Sequence, residues 1–228
     1  LATLYRDNGH DAFRKLKVDD ITRALGGSEP RSIDIAMFGR MTTSAAFNDM
    51  QAAVQVAHAI STHRVEQEFD YYTAVDDISG ESGAGFIGDT AFNSATFYKY
   101  FSVHWEGLVK NLGGEADTAA AAVRALVGAA ATVSPTGKQN SFAAHNLPDL
   151  VLIEVRDRNL PVSYANAFLE PVWSGGRTSL MQASATALAD YMLTVNDTFD
   201  ITAQRAWIGT GHWALSAERQ PSLAARLA

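Results

Sequence analysis

The sequence contains no cysteine, which excludes disulfide bridges and thiolate metal or redox sites. It also has no hydrophobic run approaching the roughly 18 consecutive apolar residues of a membrane helix. The N-terminus lacks the basic segment and apolar core of a secretory signal. With 47% hydrophobic residues, the composition favours a soluble globular protein with a sizeable core, which we expect in the cytoplasm and away from membranes.

An initiator methionine is also missing, because the chain begins at Leu1 in polar, helix-compatible sequence. This opening stretch is followed at residues 26–30 by Gly-Gly-Ser-Glu-Pro, a combination that stops helices. We therefore expect a fragment or a processed chain, in which residues 1–31 are the end of a helical region.

Lysine and arginine are absent from residues 65–92, which contain seven acidic residues: Glu66, Glu68, Asp70, Asp76, Asp77, Glu81 and Asp89. The whole chain has 25 acidic and 18 basic residues, so this segment accounts for the formal net charge of -7. A net acidic charge ordinarily argues against nucleic-acid binding, which leaves a basic footprint. Because the rest of the chain is balanced, it can still hold a local basic groove.

Periodic patterns predict strands interleaved with helices, an α+β fold. Ile33, Ile35 and Met37 occupy alternate positions, which predicts a strand that ends or bulges at Gly39. Residues 53–63 are ambiguous between helix and strand, and their alternation favours strand. The nearly all-apolar segment 150–155 is predicted to be a central strand. The other predicted elements are a ribbon at 65–79, a flexible glycine-rich tip at 80–88, strands at 92–104 and 201–208, and helices at 105–112, 119–130, 163–170 and 181–195.

Candidate metal and hydrolase sites are weak. His58 and His63 point to opposite faces of a strand, and on a helix they are ~140° apart, so neither geometry chelates well. Asp76 and Asp77 could ligate Mg²⁺, but adjacent acids in a ribbon are more typical of a solvated turn. No Gly-x-Ser-x-Gly elbow is present. We expect no metal and no cofactor.

Residues 135–141, Pro-Thr-Gly-Lys-Gln-Asn-Ser, contain Gly-Lys without the Walker pattern. No glycine lies five positions before Gly137, and Gln139 replaces the Ser or Thr that would hold Mg²⁺. This excludes a nucleotide-hydrolysis loop. Backbone N–H groups and one lysine can still hold a backbone phosphate, and a plain surface turn is the alternative.

Phe86 and Ile87 lie between Gly85 and Gly88 in the predicted tip. Two bulky apolar residues in an exposed loop are costly unless they are buried against something. They either fold back onto their own sheet or form a wedge inserted between bases or into a neighbouring subunit.

Seven segments, in this order along residues 32–168, together resemble one family. They are IDIAMFGRM at 33–41, AHAISTH at 57–63, TAVDD at 73–77, FYKY at 97–100, NLGG at 111–114, GKQ at 137–139 and ANAF at 165–168. The family is the backbone subunit (CasC) of the type I-E CRISPR surveillance complex Cascade, and weaker similarity continues to the end of the chain.

The resemblance implies an RRM/ferredoxin-like palm at 32–64 and 93–170, completed by a C-terminal helix and strand at 171–228. Residues 1–31 would be the remnant of a helical finger domain, and residues 65–92 a thumb hairpin. Copies of such a subunit polymerise along a CRISPR RNA, where each thumb displaces one nucleotide and leaves the intervening bases free to pair with target DNA. The expected partners are CRISPR RNA, target DNA, further copies of the chain and other Cascade subunits.

The matching motifs also imply RNA-binding residues. Arg40 and Met41 at the strand end would face the RNA, Phe86 and Ile87 would be the thumb tip, and His63 and Arg64 would lie at its base. The phosphate-holding residues would be Lys138 and Gln139, with Asn140 beside them. An acidic arm without cations cannot neutralise phosphates, so its contribution must be steric and apolar or directed at a neighbour's basic surface.

Three functions are compatible with these features of the sequence. The first is a non-enzymatic, guide-RNA-binding filament subunit. The second is a metal-dependent ribonuclease of a related CRISPR effector backbone, which requires Asp34, Asp76, Asp77 or Asp89 beside the scissile phosphate. The third is an RRM-like interaction module that binds no nucleic acid.

Overall fold

The structure is a computed structural model that describes residues 32–43, 48–75, 84–211 and 218–219, together with residues 6, 9, 10, 14, 15, 17 and 20. The chain divides into two compact units, the first formed by residues up to 56 and 101–145, the second by residues 57–100 and 146 onwards. The helices from residue 32 onwards are α1 (Ile33–Phe38), α2 (Trp105–Asn111), α3 (Ala116–Thr132), α4 (Gln139–Phe142) and α5 (Leu180–Thr198), with a 3-10 helix at Ala165–Phe168. The strands are β1 (Val54–Val56), β2 (Ile60–Ser61), β3 (Glu68–Val75), β4 (Ala84–Phe92), β5 (Phe97–Tyr98), β6 (Phe101–Val103), β7 (Leu150–Val155), β8 (Gln204–Gly209) and β9 (Glu218–Arg219).

The strand predicted at residues 33–37 is wrong, because this segment forms helix α1. The amide of Ala36 donates to the carbonyl oxygen of Ser32 at 3.0 Å, a helical hydrogen bond. Ala36 and Met37 are both buried, whereas consecutive residues of a strand point to opposite faces. Over so short a segment, alternation of apolar residues does not distinguish a helix from a strand.

Gly39 ends α1 rather than a strand. Its φ of +80° lies in the left-handed region, where a glycine carries no steric cost. A Cβ at this position would lie 2.8 Å from the carbonyl oxygen of Met50 and 2.9 Å from the amide nitrogen of Ala52. The close passage of these two backbone segments therefore requires glycine.

The core of the first unit is formed by α1, the β1–β6 pair, α2 and α3. Leu108 is fully buried at its centre, and the Asn111 side-chain amide donates 2.9 Å hydrogen bonds to the carbonyl oxygens of Ala36 and Gln51. The predicted helices at 105–112 and 119–130 are confirmed as α2 and α3. The predicted glycine stop after α2 is confirmed as well, since Gly113 and Gly114 both have positive φ.

The second unit contains a sheet whose described strands lie in the order β7-β8-β9. Strand β8 pairs with β7 in antiparallel orientation and with β9 in parallel orientation. Residues 150–155 are confirmed as a strand. Among the described strands β8 lies at the centre and β7 at the edge, which does not support the predicted central position of residues 150–155. Tyr164 and Phe168, around the 3-10 helix, pack with Leu188 and Met192 of α5. The predicted elements at 163–170, 181–195 and 201–208 are therefore present.

The second unit also contains an antiparallel hairpin of β3 and β4. The ribbon predicted at 65–79 is confirmed over Glu68–Val75, which form β3. The predicted placement of Phe86 and Ile87 in a flexible tip is wrong, because both lie within β4 and pair with Ala74 and Thr73. Residues 76–83, which include the first part of the predicted tip, lie outside the described residues. Segments 53–63 and 92–104 are strands only in part, broken at 57–59, 93–96 and 99–100.

The described fold mixes helices with small sheets of two or three strands. This agrees with the predicted α+β class. The RRM/ferredoxin-like palm and the division into palm, finger and thumb stay predictions. No helix among the described residues is long and apolar enough to cross a membrane.

Candidate functional site

One face of the β3–β4 hairpin carries a pair of aromatic rings. Tyr72 pairs with Gly88 across the strands, and Phe86 lies two residues from Gly88, so all three share one face. The rings of Tyr72 and Phe86 have centroids 6.0 Å apart and an interplanar angle of 49°. Both side chains are about half exposed, at 50% and 56%. We call Tyr72, Phe86 and Gly88 the aromatic face.

Gly88 makes room for this ring pair. A Cβ at Gly88 would lie 2.7 Å from Cζ of Tyr72 and 2.9 Å from Cε1 of Phe86. These separations are too short for van der Waals contact, so a side chain here would push the rings away. The aromatic face therefore depends on a glycine as well as on its two rings.

The opposite face of the hairpin carries Phe69, Tyr71 and Ile87, with Asp89 paired to Tyr71. Ile87 is 69% exposed. Since Phe86 and Ile87 are neighbours in a strand, their side chains point to opposite faces. The structure therefore does not support a single wedge built from both residues on one side. We call Phe69, Tyr71, Ile87 and Asp89 the mixed face.

The hairpin is acidic in the structure as in the sequence. Glu66, Glu68, Asp70 and Asp89 are all exposed. The other acids of the segment, Asp76, Asp77 and Glu81, lie outside the described residues. An exposed acidic ribbon repels phosphates, so a contact with a nucleic acid has to come from its apolar side chains.

His63 closes the base of the hairpin through both ring nitrogens. The backbone amide of Thr96 donates to Nε2 of His63 at 3.1 Å, and Nδ1 lies 2.7 Å from the carbonyl oxygen of Arg64. Because an amide can only donate, Nε2 is the acceptor and the ring proton resides on Nδ1, which donates to Arg64. This geometry gives His63 a positioning role, whereas the neighbouring Arg64 side chain is exposed.

The predicted tip and base residues of the hairpin lie at its two ends. Glu68 and Thr73, the partner of Ile87, are five positions apart in β3, which corresponds to about 17 Å of strand. His63 and Arg64 precede Glu68. The structure therefore does not bring these two pairs of predicted residues into one cluster.

Arg40 and Met41 directly follow the glycine that ends α1, rather than the end of a strand. The Arg40 backbone forms an isolated bridge with Met50, and its guanidinium donates to the carbonyl oxygen of Asn48 at 2.8 Å. Met41 is 93% exposed. Arg40 is thus held against its own loop, while Met41 projects into solvent.

Lys138, Gln139 and Asn140 are exposed in and beside the single-turn helix α4. Lys138 has a φ of +57°, an uncommon conformation for a residue with a side chain. The amides of Gln139 and Ser141 donate to Thr136 and Lys138 within the turn. The hypothesis that the backbone N–H groups hold a phosphate is therefore weakened, and the lysine and amide side chains are the available donors.

A polar network behind the sheet of the second unit was not found by sequence reasoning. Glu154 accepts from Arg205 at 2.6 Å, from Arg156 at 2.8 Å and from the Tyr164 hydroxyl at 3.0 Å. Burial raises the pKa of Tyr164, and the negative charge of Glu154 raises it further. Burial likewise raises the pKa of Tyr98, whose hydroxyl accepts from the Tyr164 amide. These residues hold the connection after β7 against the core.

No group of three or more His, Asp or Glu side chains among the described residues could hold a metal ion. Of the acids that the ribonuclease hypothesis requires, Asp34 lies in the first turn of α1, and Asp89 lies on the mixed face. Asp76 and Asp77 lie outside the described residues.

Residues 3–227 match the Cas_CT1975 family, described as CT1975-like protein. The chain belongs to this family. A search of curated proteins found no match to this CT1975-like chain.

Two solved structures are similar to the CT1975-like chain. One, "CRISPR RNA-guided surveillance complex, pre-nicking", has a TM-score of 0.79 and 33% identity, covering 93% of this chain and 58% of the matched chain. The other, "CRISPR RNA-guided surveillance complex", has a TM-score of 0.73 and 32% identity, covering 92% of this chain and 81% of the matched chain. The chain thus spans little more than half the length of the first match.

Proposed function

We propose that this chain is a non-catalytic, guide-RNA-binding backbone subunit of a CRISPR surveillance complex. The observation that carries this proposal is the similarity of 93% of the chain, at a TM-score of 0.79, to a chain of an RNA-guided surveillance complex. The sequence motifs favour the CasC subunit of a type I-E Cascade complex, with a palm of the RRM type. Its place of action is the cytoplasm.

The hairpin acts on the guide by steric contact. Its exposed acids disfavour phosphate contacts, so the Tyr72–Phe86 pair supplies a π-surface against which a base can stack or from which it is displaced. The mixed face is directed at another surface, for which a second copy of the chain is the expected partner. The hairpin thereby interrupts the guide at regular intervals.

Phosphates are held by the cations and amides of the first unit, namely Arg40, Lys138, Gln139 and Asn140. Such contacts position the backbone and carry no sequence information. The bases between two hairpins remain available to pair with target DNA, and sequence is read by base pairing. Other subunits of the complex complete the assembly.

Salt-dependent RNA binding tests this function. Fluorescence anisotropy of a labelled single-stranded RNA, titrated with the full chain, is expected to show affinity that falls as salt rises and varies little with sequence. An interaction module without a nucleic-acid role predicts no salt-dependent binding, and that result would overturn the proposal.

The non-catalytic part of the proposal has its own test. Incubation of the chain with labelled RNA and Mg²⁺ is expected to leave the RNA intact in both the wild type and Asp77→Ala. Metal-dependent cleavage that Asp77→Ala abolishes would establish the ribonuclease function instead.

A further inference from the structure

An exposed tryptophan lies on the connection between the 3-10 helix and α5. Trp173 is 71% exposed, and the residues after it are Ser-Gly-Gly-Arg. Indole rings provide a large flat apolar surface, and tryptophan is enriched at interfaces. The proposed function uses the Tyr72–Phe86 pair and the phosphate-holding residues, and it gives Trp173 no role.

Immediately before Trp173, a backbone hydrogen bond joins the connection to the base of the hairpin. The amide of Val172 donates to the carbonyl oxygen of Thr62 at 3.0 Å. Thr62 is only 3% exposed, and its hydroxyl lies 2.8 Å from the hydroxyl of Ser184 in α5. Because Thr62 directly precedes His63 and Arg64, the hydrogen bond from Val172 to Thr62 places Trp173 next to the hairpin base.

The chain reverses direction just after Trp173. Gly176 has a φ of +54°, and the Arg177 amide donates to the carbonyl oxygen of Gly175, which is a three-residue turn. Arg177 is exposed, and so is Arg64 in the segment after β2. An indole and two guanidinium groups are therefore presented from two segments of one unit.

We propose that Trp173, flanked by Arg64 and Arg177, is a stacking site for one base of single-stranded RNA at the hairpin base. This inference rests on the proposed RNA-binding function and adds a second contact, separate from the aromatic face near the far end of the hairpin. Aromatic stacking is tolerant of sequence because every base has a π-face, and arginine planes stack in the same way.

Charge contributes little to this site. Glu66 and Glu170 lie near the two arginines along the chain and are exposed, so the four charges balance. Stacking rather than counterion release therefore drives binding here. Loss of Trp173 is expected to lower RNA affinity without changing its dependence on salt, unlike loss of a phosphate contact.

The test compares Trp173→Ala, Trp173→Phe and Phe199→Ala by anisotropy with labelled single-stranded RNA over a range of salt. Phe199 is a matched control, because it is an exposed aromatic residue of the same unit. We expect Trp173→Ala to weaken binding on the order of tenfold with an unchanged salt slope. Trp173→Phe should recover most of the loss, Phe199→Ala should bind like the wild type, and all melting temperatures should be unchanged.

Three outcomes overturn the inference. Equal binding by Trp173→Ala and the wild type would remove the stacking site while leaving the proposed function intact. Loss of self-association by Trp173→Ala in RNA-free sedimentation, with RNA affinity per copy unchanged, would assign the indole to contact with another copy. Failure of the wild type to bind RNA would overturn both the site and the proposed function.

Discussion

The ring of Tyr72 lies 6.0 Å from the ring of Phe86, centroid to centroid, on the hairpin face opposite to Ile87. A two-stranded ribbon with bulky apolar groups on both faces has no core of its own in which to bury them. We therefore expect the two faces to contact different surfaces, so that substitutions on each have different effects.

Gly88→Ala should disturb the aromatic face without unfolding the hairpin. The added Cβ would meet the ring of Tyr72 at 2.7 Å, so the rings have to move apart. In an assembled complex, fluorescence of 2-aminopurine placed at the displaced guide nucleotide is expected to change in Gly88→Ala and in Phe86→Ala.

Ile87→Ala is the matched control on the mixed face. It should leave the 2-aminopurine signal unchanged and instead weaken association between copies. The melting temperature of the isolated chain should hardly change in any of these variants, since the side chains are exposed. A large fall for Phe86→Ala would mean that this ring is ordinary core.

Lys138→Ala should weaken RNA binding by a similar factor for all sequences and reduce the salt slope by about one unit, because one phosphate contact is lost. Plots of binding constant against salt concentration measure this directly. Lys110→Ala, at an exposed lysine in α2, is expected to retain the wild-type slope. Loss of affinity for particular sequences only would contradict a phosphate role for Lys138.

His63→Ala should loosen the hairpin base, because the Thr96 amide loses its acceptor, at a cost of about 1 kcal/mol. Hydrogen exchange of the Thr96 amide is expected to accelerate in His63→Ala and to be partly restored in His63→Gln, whose side-chain oxygen can accept. Unchanged exchange in the alanine variant, with RNA affinity lost, would make His63 an RNA ligand instead.

Stability should fall at alkaline pH because the pKa values of Tyr98 and Tyr164 are raised by burial. A raised folded-state pKa contributes stability that is fully present below the ordinary tyrosine pKa of about 10 and is lost as pH rises towards the folded-state value. Urea unfolding over a range of roughly pH 8 to 11 measures this dependence of the free energy of unfolding on pH. The double variant Tyr98→Phe/Tyr164→Phe should show a flatter dependence, and an equally steep one would show that other groups cause the loss.

Helices α3 and α5 could be predicted because each carries an apolar stripe over several turns. The shorter helix α2 could be predicted because its apolar residues have helical spacing and Gly113 and Gly114 mark its end. Helix α1 could not, since its Ile33, Ile35 and Met37 fit a strand equally well over two turns. The sequence singles out Phe86 and Ile87 as bulky apolar residues between glycines, but only the strand register places their side chains on opposite faces. The hydrogen bond between Val172 and Thr62 joins residues 110 positions apart, and no local sequence pattern could reveal it.

RNA recovered from an assembly purified through this chain tests the guide-binding role most directly. After gentle purification and phenol extraction, end-labelled RNA on a denaturing gel gives its length distribution. We predict bound RNA of uniform length, because a backbone polymerised along a guide protects one defined species. Absence of RNA, or a broad mixture of lengths resembling total cellular RNA, would contradict that role.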